Sequence, residues 1–224
     1  MAGLRYENKY YISAAGEAML LRRLAACMTD DAHVREDGAY HIRSLYFDDY
    51  RRSALSDKEE GVEKREKFRI RYYNLNPTYI VLESKQKLGK MTRKLSAPLS
   101  ATAAAAMAQG QYHALCGADD PLLRRFYHQA LLRRLRPRVV VDYERRPFLF
   151  RDVRVTIDRN LHSGLRRTDF LNPRLPTVPV FPAGRTILEV KYDDALPDVI
   201  RRALSVLPAQ TSAISKFFLC QRFL

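Results

Sequence analysis

The chain has 224 residues, enough for one sizeable core, and 46% of them are hydrophobic, which excludes a disordered or fibrous polymer. Lys and Arg number 39 against 25 Asp and Glu, so a net charge of +14 predicts an anionic partner: nucleic acid, an acidic membrane surface or a phosphorylated small molecule. Residues 1–7 lack an apolar signal core and the Ala-rich stretch 101–109 is far too short to cross a bilayer, so a cytoplasmic protein is expected.

In chain order, Tyr6 to Ser13 alternates as a strand, and Met19, Leu20, Leu24 and Cys27 then recur at helical spacing within 16–28. A polar loop from Asp30 to Gly38 leads to a strand over Tyr40–Phe47. Asp48-Asp49 opens a short helical turn through Leu55, as carboxylates favour a helix start. Three strands follow over Lys67–Tyr73, Thr78–Gln86 and Met91–Ala97, with turns at Asn74-Leu75-Asn76-Pro77 and Lys87-Leu88-Gly89-Lys90. Helices are predicted over Ser100–Met107 and Pro121–Leu135, the second with proline in its first turn. Strands over Val139–Phe148, Val153–Asp158 and Thr186–Tyr192, a helix over Ala195–Val206 and a basic, aromatic tail complete the chain. Strands adjacent in sequence favour antiparallel pairing, so residues 1–224 are expected to form a single α+β domain on a closed sheet.

Cys27, Cys116 and Cys220 are odd in number and widely spaced, and are expected to be reduced and mostly buried thiols. The histidines at 33, 41, 113, 128 and 162 have no zinc-ligand spacing.

The placement of charge is more informative. Side chains two apart on a strand share a face, so Arg65, Lys67, Arg69 and Arg71 lie together, with Phe68, Ile70 and Tyr72 opposite. The alternation returns in Arg5-Glu7-Lys9, Glu83-Lys85-Lys87, Arg154-Thr156-Asp158 and Glu189-Lys191. One such strand is an ordinary solvated sheet face, but five suggest a barrel inverted in polarity. Like charges about 7 Å apart repel by roughly 2–3 kcal/mol at an effective dielectric near 20. A cationic lumen is therefore tolerated only where carboxylates, water or an anionic ligand fill it. Within it, Glu83 could pair with Lys85 and Asp158 could orient Arg154. Ser44-Leu45-Tyr46-Phe47 reads as core strand, and Arg124-Arg125 and Arg133-Arg134 as solvated helix faces open to acidic lipid or a partner.

The segments Arg5-Tyr-Glu-Asn-Lys9-Tyr, Ser44-Leu-Tyr-Phe-Asp48, Lys67-Phe-Arg69-Ile-Arg71-Tyr, Leu82-Glu-Ser-Lys85, Asp142-Tyr-Glu-Arg145, Arg154-Val-Thr-Ile-Asp158, Ile187-Leu-Glu189-Val-Lys191 and Ser215-Lys216-Phe occur in this order. Together they resemble the VTC domain, the polyphosphate polymerase domain of the triphosphate tunnel metalloenzyme superfamily. The resemblance implies an eight-stranded antiparallel β-tunnel with helices outside, in which the γ-phosphoryl of ATP passes to a growing polyphosphate with Mn²⁺ or Mg²⁺ as cofactor. It implies phosphate ligands at Lys9, Arg69, Arg71, Lys85, Arg145, Arg154 and Lys216, with Lys191 as a further lumen charge. Glu189 is the implied metal ligand, with Glu7 an associated carboxylate, and Arg69, Arg71, Lys85 and Glu189 form the implied catalytic set. Expected ligands are ATP, pyrophosphate or triphosphate, and polyphosphate, with no nucleic acid. Any approach to the inner face of a membrane would be made through a separate membrane protein.

Tunnel hydrolases and cyclases carry Glu-x-Glu-x-Lys on the first strand, whereas this chain has Arg5-x-Glu7-x-Lys9. Loss of one carboxylate weakens the case for two-metal activation of water, and the added cation suits a longer polyanion. Triphosphate hydrolysis, cyclisation and non-catalytic polyphosphate or nucleotide binding remain the alternatives.

Overall fold

The structure is a computed structural model that describes residues 5–31, 34–35, 38–89, 91–207 and 211–222, apart from the side chains of Lys58 and Glu59. The expected leader-free start at 1–4, His33, residues 32–33 and 36–37 of the polar loop, Lys90 of the second turn, and parts of the tail lie outside the described residues.

The strands are β1 Arg5–Ser13, β2 Thr29–Asp30, β3 Tyr40–Asp48, β4 Lys64–Tyr73, β5 Asn76–Leu88, β6 Met91–Leu99, β7 Arg136–Phe150, β8 Val153–Ser163, β9 Val178–Pro179 and β10 Arg185–Tyr192. The helices are α1 Ala14–Ala25, α2 Ser53–Glu59, α3 Ala101–Ala108, α4 Pro121–Arg133, α5 Asp198–Ala203 and α6 Lys216–Gln221, with a 3₁₀ turn at His113–Leu115. Eight strands close a ring in the order β7-β3-β4-β5-β6-β1-β10-β8, and β8 returns to β7. All these pairings are antiparallel, and the two-residue β2 and β9 are appended to β7 and β8. Among the described residues the seam between β1 and β6 sets Arg5 opposite Thr92 and Tyr6 opposite Met91.

Local signals set the ends of the elements. The Ser13 hydroxyl accepts from the Gly16 amide at 3.2 Å, and the Ser100 hydroxyl from that of Ala103 at 3.1 Å, so each serine starts a helix. Asp120 caps α4 by accepting from Leu122 and Leu123, with Pro121 following it. Asn74 and Leu75 both take left-handed φ of 52°, which makes the tight β4–β5 turn, and the Asn74 side chain accepts from the His41 amide. Asp48 and Asp49 accept from the amides of Ala54 and Ser53, as acidic caps should, but α2 begins later than expected because Arg52 is left-handed.

Alternation sorts the barrel faces. Outward Phe68, Ile70, Tyr72 and Leu82 meet Phe126 and Leu122 of α4 and Met107 of α3. Outward Val155, Ile157, Leu188 and Val190 lie under Leu20 and Leu24 of α1 and Ile200 of α5. Removing such surface from water at roughly 25 cal/mol per Å² is the main force holding the helices to the sheet.

One expectation is corrected inside the ring. The lumen is not wet throughout, because α6 enters it and packs Phe217 and Cys220 against Tyr46, Val139, Val141, Leu161 and Ile187. Phe217 lies 5.0 Å from the Tyr46 ring. The segment expected as a tail therefore holds a helix, capped by Ser215 through the Phe218 amide, and the last expected helix shortens to α5. Of the three free thiols, Cys220 is buried, Cys27 half-buried and Cys116 exposed, so burial holds for one of them only.

Candidate phosphate-binding tunnel

Three ion clusters fill the polar part of the lumen. In the first, the register of β4 sets Arg69 opposite Tyr46 and Glu83, and Arg71 opposite Ser44. Arg69 donates to Glu83 at 2.7 Å and to the Tyr46 hydroxyl at 2.6 Å, while Arg71 donates to Ser44 and Tyr143 at 3.0 and 3.1 Å. Lys94 of β6 reaches the other Glu83 oxygen at 3.0 Å, and Arg71 lies 3.6 Å away. Burial alone would raise the Glu83 carboxyl, but Arg69, Arg71 and Lys94 hold it well below the usual range.

The second cluster joins β1, β5 and β10, where Glu7 lies opposite Lys191 and Lys9 opposite Glu189. Lys85 donates to both Glu7 oxygens at 2.7 and 2.8 Å. Lys9 stands 2.7 Å from Glu7 and 3.5 Å from Glu189, and Lys191 is 2.6 Å from Glu189. The two lysines sharing Glu7 differ in proton affinity. Burial opposes the charge of Lys9, but Glu7 and Glu189 raise it above the ordinary lysine range. Burial and the neighbouring Lys9 together outweigh Glu7 at Lys85 and bring it down to about 7. Glu189 stays ionised because Lys191, Lys9, Lys85 and Arg145 outweigh its burial.

The third cluster joins β7, β8 and α6. Arg145 grips Asp158 with two bonds of 2.6 and 2.8 Å, and Lys216 reaches the same carboxylate at 2.5 Å. Lys216 also lies 4.8 Å over the Tyr143 ring. Burial works against ionising the Tyr143 hydroxyl, yet Arg145 and Arg71 lower its pKa. Nearer the start of β8, Arg154 donates to Asp31 and the Tyr40 hydroxyl at 3.1 and 2.8 Å, while its Nε has no hydrogen-bond partner among the described residues.

A family model, that of the VTC domain, matches residues 4–224 of the chain. The chain belongs to the VTC domain family. Solved structures similar to it share the triphosphate tunnel fold at low identity. A candidate adenylyl cyclase from Hippeastrum, described as having a dominant triphosphatase activity, is 13% identical with a TM-score of 0.60, covering 96% of this chain and 94% of that one. The PH1012 protein of Pyrococcus horikoshii is 10% identical with a TM-score of 0.52, covering 96% and 98%. A candidate adenylate cyclase of Bacillus halodurans is 13% identical with a TM-score of 0.50, covering 92% and 94%. No curated protein matches the chain.

In this VTC domain, Lys9, Arg69, Arg71, Lys85, Arg145, Lys191, Lys216, Glu7 and Glu189 come together in the lumen, and Arg154 lies opposite Lys191 on the same face, where its bonds go to Asp31 and Tyr40. Two expected pairings are corrected. Glu83 pairs with Arg69 and Lys94, not with Lys85, which Glu7 of β1 takes. Asp158 holds Arg145 and Lys216, not Arg154. Arg5 also behaves differently, because it pairs with Asp193 at 2.9 Å and is 46% exposed, so its charge is offset at the strand's start. Arg133 and Arg125, expected to be solvated, pair with Asp49 and Glu66.

Lys94 and the Tyr143 hydroxyl join the lumen beyond the expected set, Tyr46 serves it with its hydroxyl as well as packing in the core, and the buried Thr156 hydroxyl, on the expected polar face, has no hydrogen-bond partner among the described residues. The alternation of Thr92, Lys94 and Ser96 could have marked β6 as a sixth polar-faced strand. Among the described residues no group of three or more His, Cys, Asp or Glu side chains could hold a metal. The donor set nearest to one is Glu7 with Glu189, which bracket Lys9. Carboxylate oxygens suit Mg²⁺ or Mn²⁺, which keep several waters and complete their shells with phosphate oxygens, so these residues fit a metal that arrives with its ligand. No helix among the described residues is long and apolar enough to cross a membrane.

Proposed function

We propose that this VTC domain is an ATP-dependent polyphosphate polymerase. The observation that carries the reading is the convergence of Lys9, Arg69, Arg71, Lys85, Arg145, Lys191 and Lys216 on one lumen that holds fewer carboxylates than cations. In the proposed reaction a terminal oxygen of the acceptor chain bonds to the γ-phosphorus of ATP, the bond from that phosphorus to the β-bridging oxygen breaks, and ADP leaves. Such transfer passes through a loose transition state, so it needs in-line positioning and charge stabilisation, with little covalent work from the protein. Arg69 and Arg71 present planar forks to phosphate oxygens, and Lys9, Lys85 and Lys216 supply compact charges along the path. Tyr46, Ser44 and Tyr143 fix the guanidinium planes, so little reorganisation remains when charge moves. A divalent Mn²⁺ or Mg²⁺ held by Glu189, with Glu7 beside it, would neutralise phosphate oxygens as the group transfers.

Triphosphate hydrolysis is the second reading, favoured by the activity named for the Hippeastrum protein. Against it, β1 offers the lumen Glu7 alone where tunnel hydrolases carry two glutamates. Incubating the protein with ATP and Mn²⁺ separates the readings. Polyphosphate with ADP supports the polymerase, phosphate without polymer supports hydrolysis, and no ATP consumption under either metal leaves a binding module.

A further inference from the structure

Away from the tunnel, the end of α4 and the start of α2 border a surface groove of about 710 Å³ lined by Asp49, Tyr50, Arg51, Leu132, Arg134 and Arg136, among others. Its rim combines two features. The first is charge: Arg133 is paired with Asp49, but among the described residues Arg134 and Arg136 make no ion pair and Arg51 donates only to the Tyr50 hydroxyl, at 2.6 Å. The second is apolar exposure, with Leu132 at 78% and Tyr50 at 66%, while Leu131, which precedes Leu132 on α4 but does not line the groove, is 57% exposed.

The ordinary explanations cover only half of this. Arginines at the end of α4 complement the helix dipole, and single exposed apolar residues need no explanation. Two large apolar tips in one basic groove, with a third exposed leucine next to them on α4, are not scattered singly. A free polyphosphate would engage the arginines and leave both leucines in water. An acidic membrane surface accommodates both, because anionic headgroups meet the guanidinium groups while leucine and tyrosine tips enter the interfacial layer.

We propose that this face docks the protein on an anionic lipid surface, with Arg51, Arg134 and Arg136 on headgroups and Tyr50, Leu131 and Leu132 inserted. The face is separate from the lumen, so the proposal does not depend on which reaction the tunnel performs.

The test is sedimentation of the full chain with vesicles of phosphatidylcholine alone or with roughly 30% phosphatidylserine. The phosphatidylserine vesicles should bind it and the neutral ones should not. Each arginine near such a surface is worth about fivefold in affinity, so Arg134→Glu should weaken binding by at least that factor. Leu132→Ser, at a side chain already mostly in solvent, should weaken it severalfold without changing stability. Arg166→Glu, an exposed site elsewhere with the same charge change, should leave docking far less affected. An equal loss in Arg166→Glu would mean that net charge alone drives binding, and would overturn the proposal. Leu132→Ser binding as well as the unmodified chain, or a random oligonucleotide displacing the vesicles from this face, would also overturn it, as would absent vesicle binding. Arg69→Ala should retain vesicle binding, and Leu132→Ser should retain thermal stabilisation by triphosphate, so failure here is distinct from failure of the tunnel reading.

Discussion

Glu83 offers the sharpest test of where phosphate binds. It is 1% exposed, and its two oxygens are taken by Arg69 at 2.7 Å and Lys94 at 3.0 Å, with Arg71 at 3.6 Å. Glu83→Gln keeps the shape and one acceptor oxygen but leaves three cations without their shared anion. Breaking a buried ion pair costs about 3–5 kcal/mol, and the retained amide places this change near the lower end. For a chain of this size, about 3 kcal/mol corresponds to a fall in Tm of roughly 6–12 °C. Triphosphate at Arg69 and Arg71 would supply the missing negative charge. Its stabilisation should therefore be larger in the variant than in the unmodified protein, because ligand binding to the folded state adds directly to stability. Differential scanning fluorimetry with and without millimolar triphosphate measures both quantities. If the variant loses stability but the triphosphate shift is unchanged or smaller, phosphate does not neutralise this cluster, and the assignment of Arg69 and Arg71 fails.

Three further outcomes are expected. Glu189→Gln should abolish ATP consumption with Mn²⁺ without weakening metal-free triphosphate binding by calorimetry; near-normal turnover would reject the metal assignment. Lys85, brought down to about 7 by burial and Lys9, is mostly neutral at pH 8, and bound phosphate should draw a proton onto it. Triphosphate affinity should then fall as pH rises through 7, and calorimetry in two buffers of different ionisation enthalpy should show proton uptake that disappears in Lys85→Met. Phe217→Ala, which truncates the largest buried side chain of α6, should cost about 3–5 kcal/mol by chemical denaturation, and a loss below 1 kcal/mol would mean that α6 does not anchor the lumen core.

The barrel was legible because it is written in period two. Phe68-x-Ile70-x-Tyr72 against Lys67-x-Arg69-x-Arg71 gives both the strand and its polarity, and Ser100 and Pro121 announce their helices, whereas the cap at Ser13 starts α1 two residues before the apolar spacing does. What was not legible depends on closure. Glu83 and Lys85 are neighbours on one face of β5, so pairing them is the natural local guess, but the ring places Glu7 over Lys85 and Arg69 beside Glu83. Asp158 reaches Lys216 across 58 positions of chain, a contact that no periodicity encodes. Helix α6 is only six residues long, too short for a helical period to stand out, and its apolar side chains serve the inside of a barrel whose other strand faces argue for a polar interior.

The pairing pattern also bears on how such a tunnel could release what it binds. Each lumen carboxylate is shared: Glu7 by Lys9 and Lys85, Glu83 by Arg69 and Lys94, Asp158 by Arg145 and Lys216, and Glu189 by Lys9 and Lys191. The cations are thereby held in place before any ligand arrives, which lowers the ordering cost of binding. Were phosphate to enter, the same carboxylates would remain, so each phosphate would meet a cation already partly neutralised and gain less than it would from a bare arginine. Under the proposed function that compromise is useful. A growing polyanion must be held firmly enough for in-line attack and loosely enough to advance by one unit, and sites that bind strongly without counter-charges would trap it. Removing a shared carboxylate should thus tighten binding while slowing turnover, the opposite of what loss of a simple ligand-binding group produces.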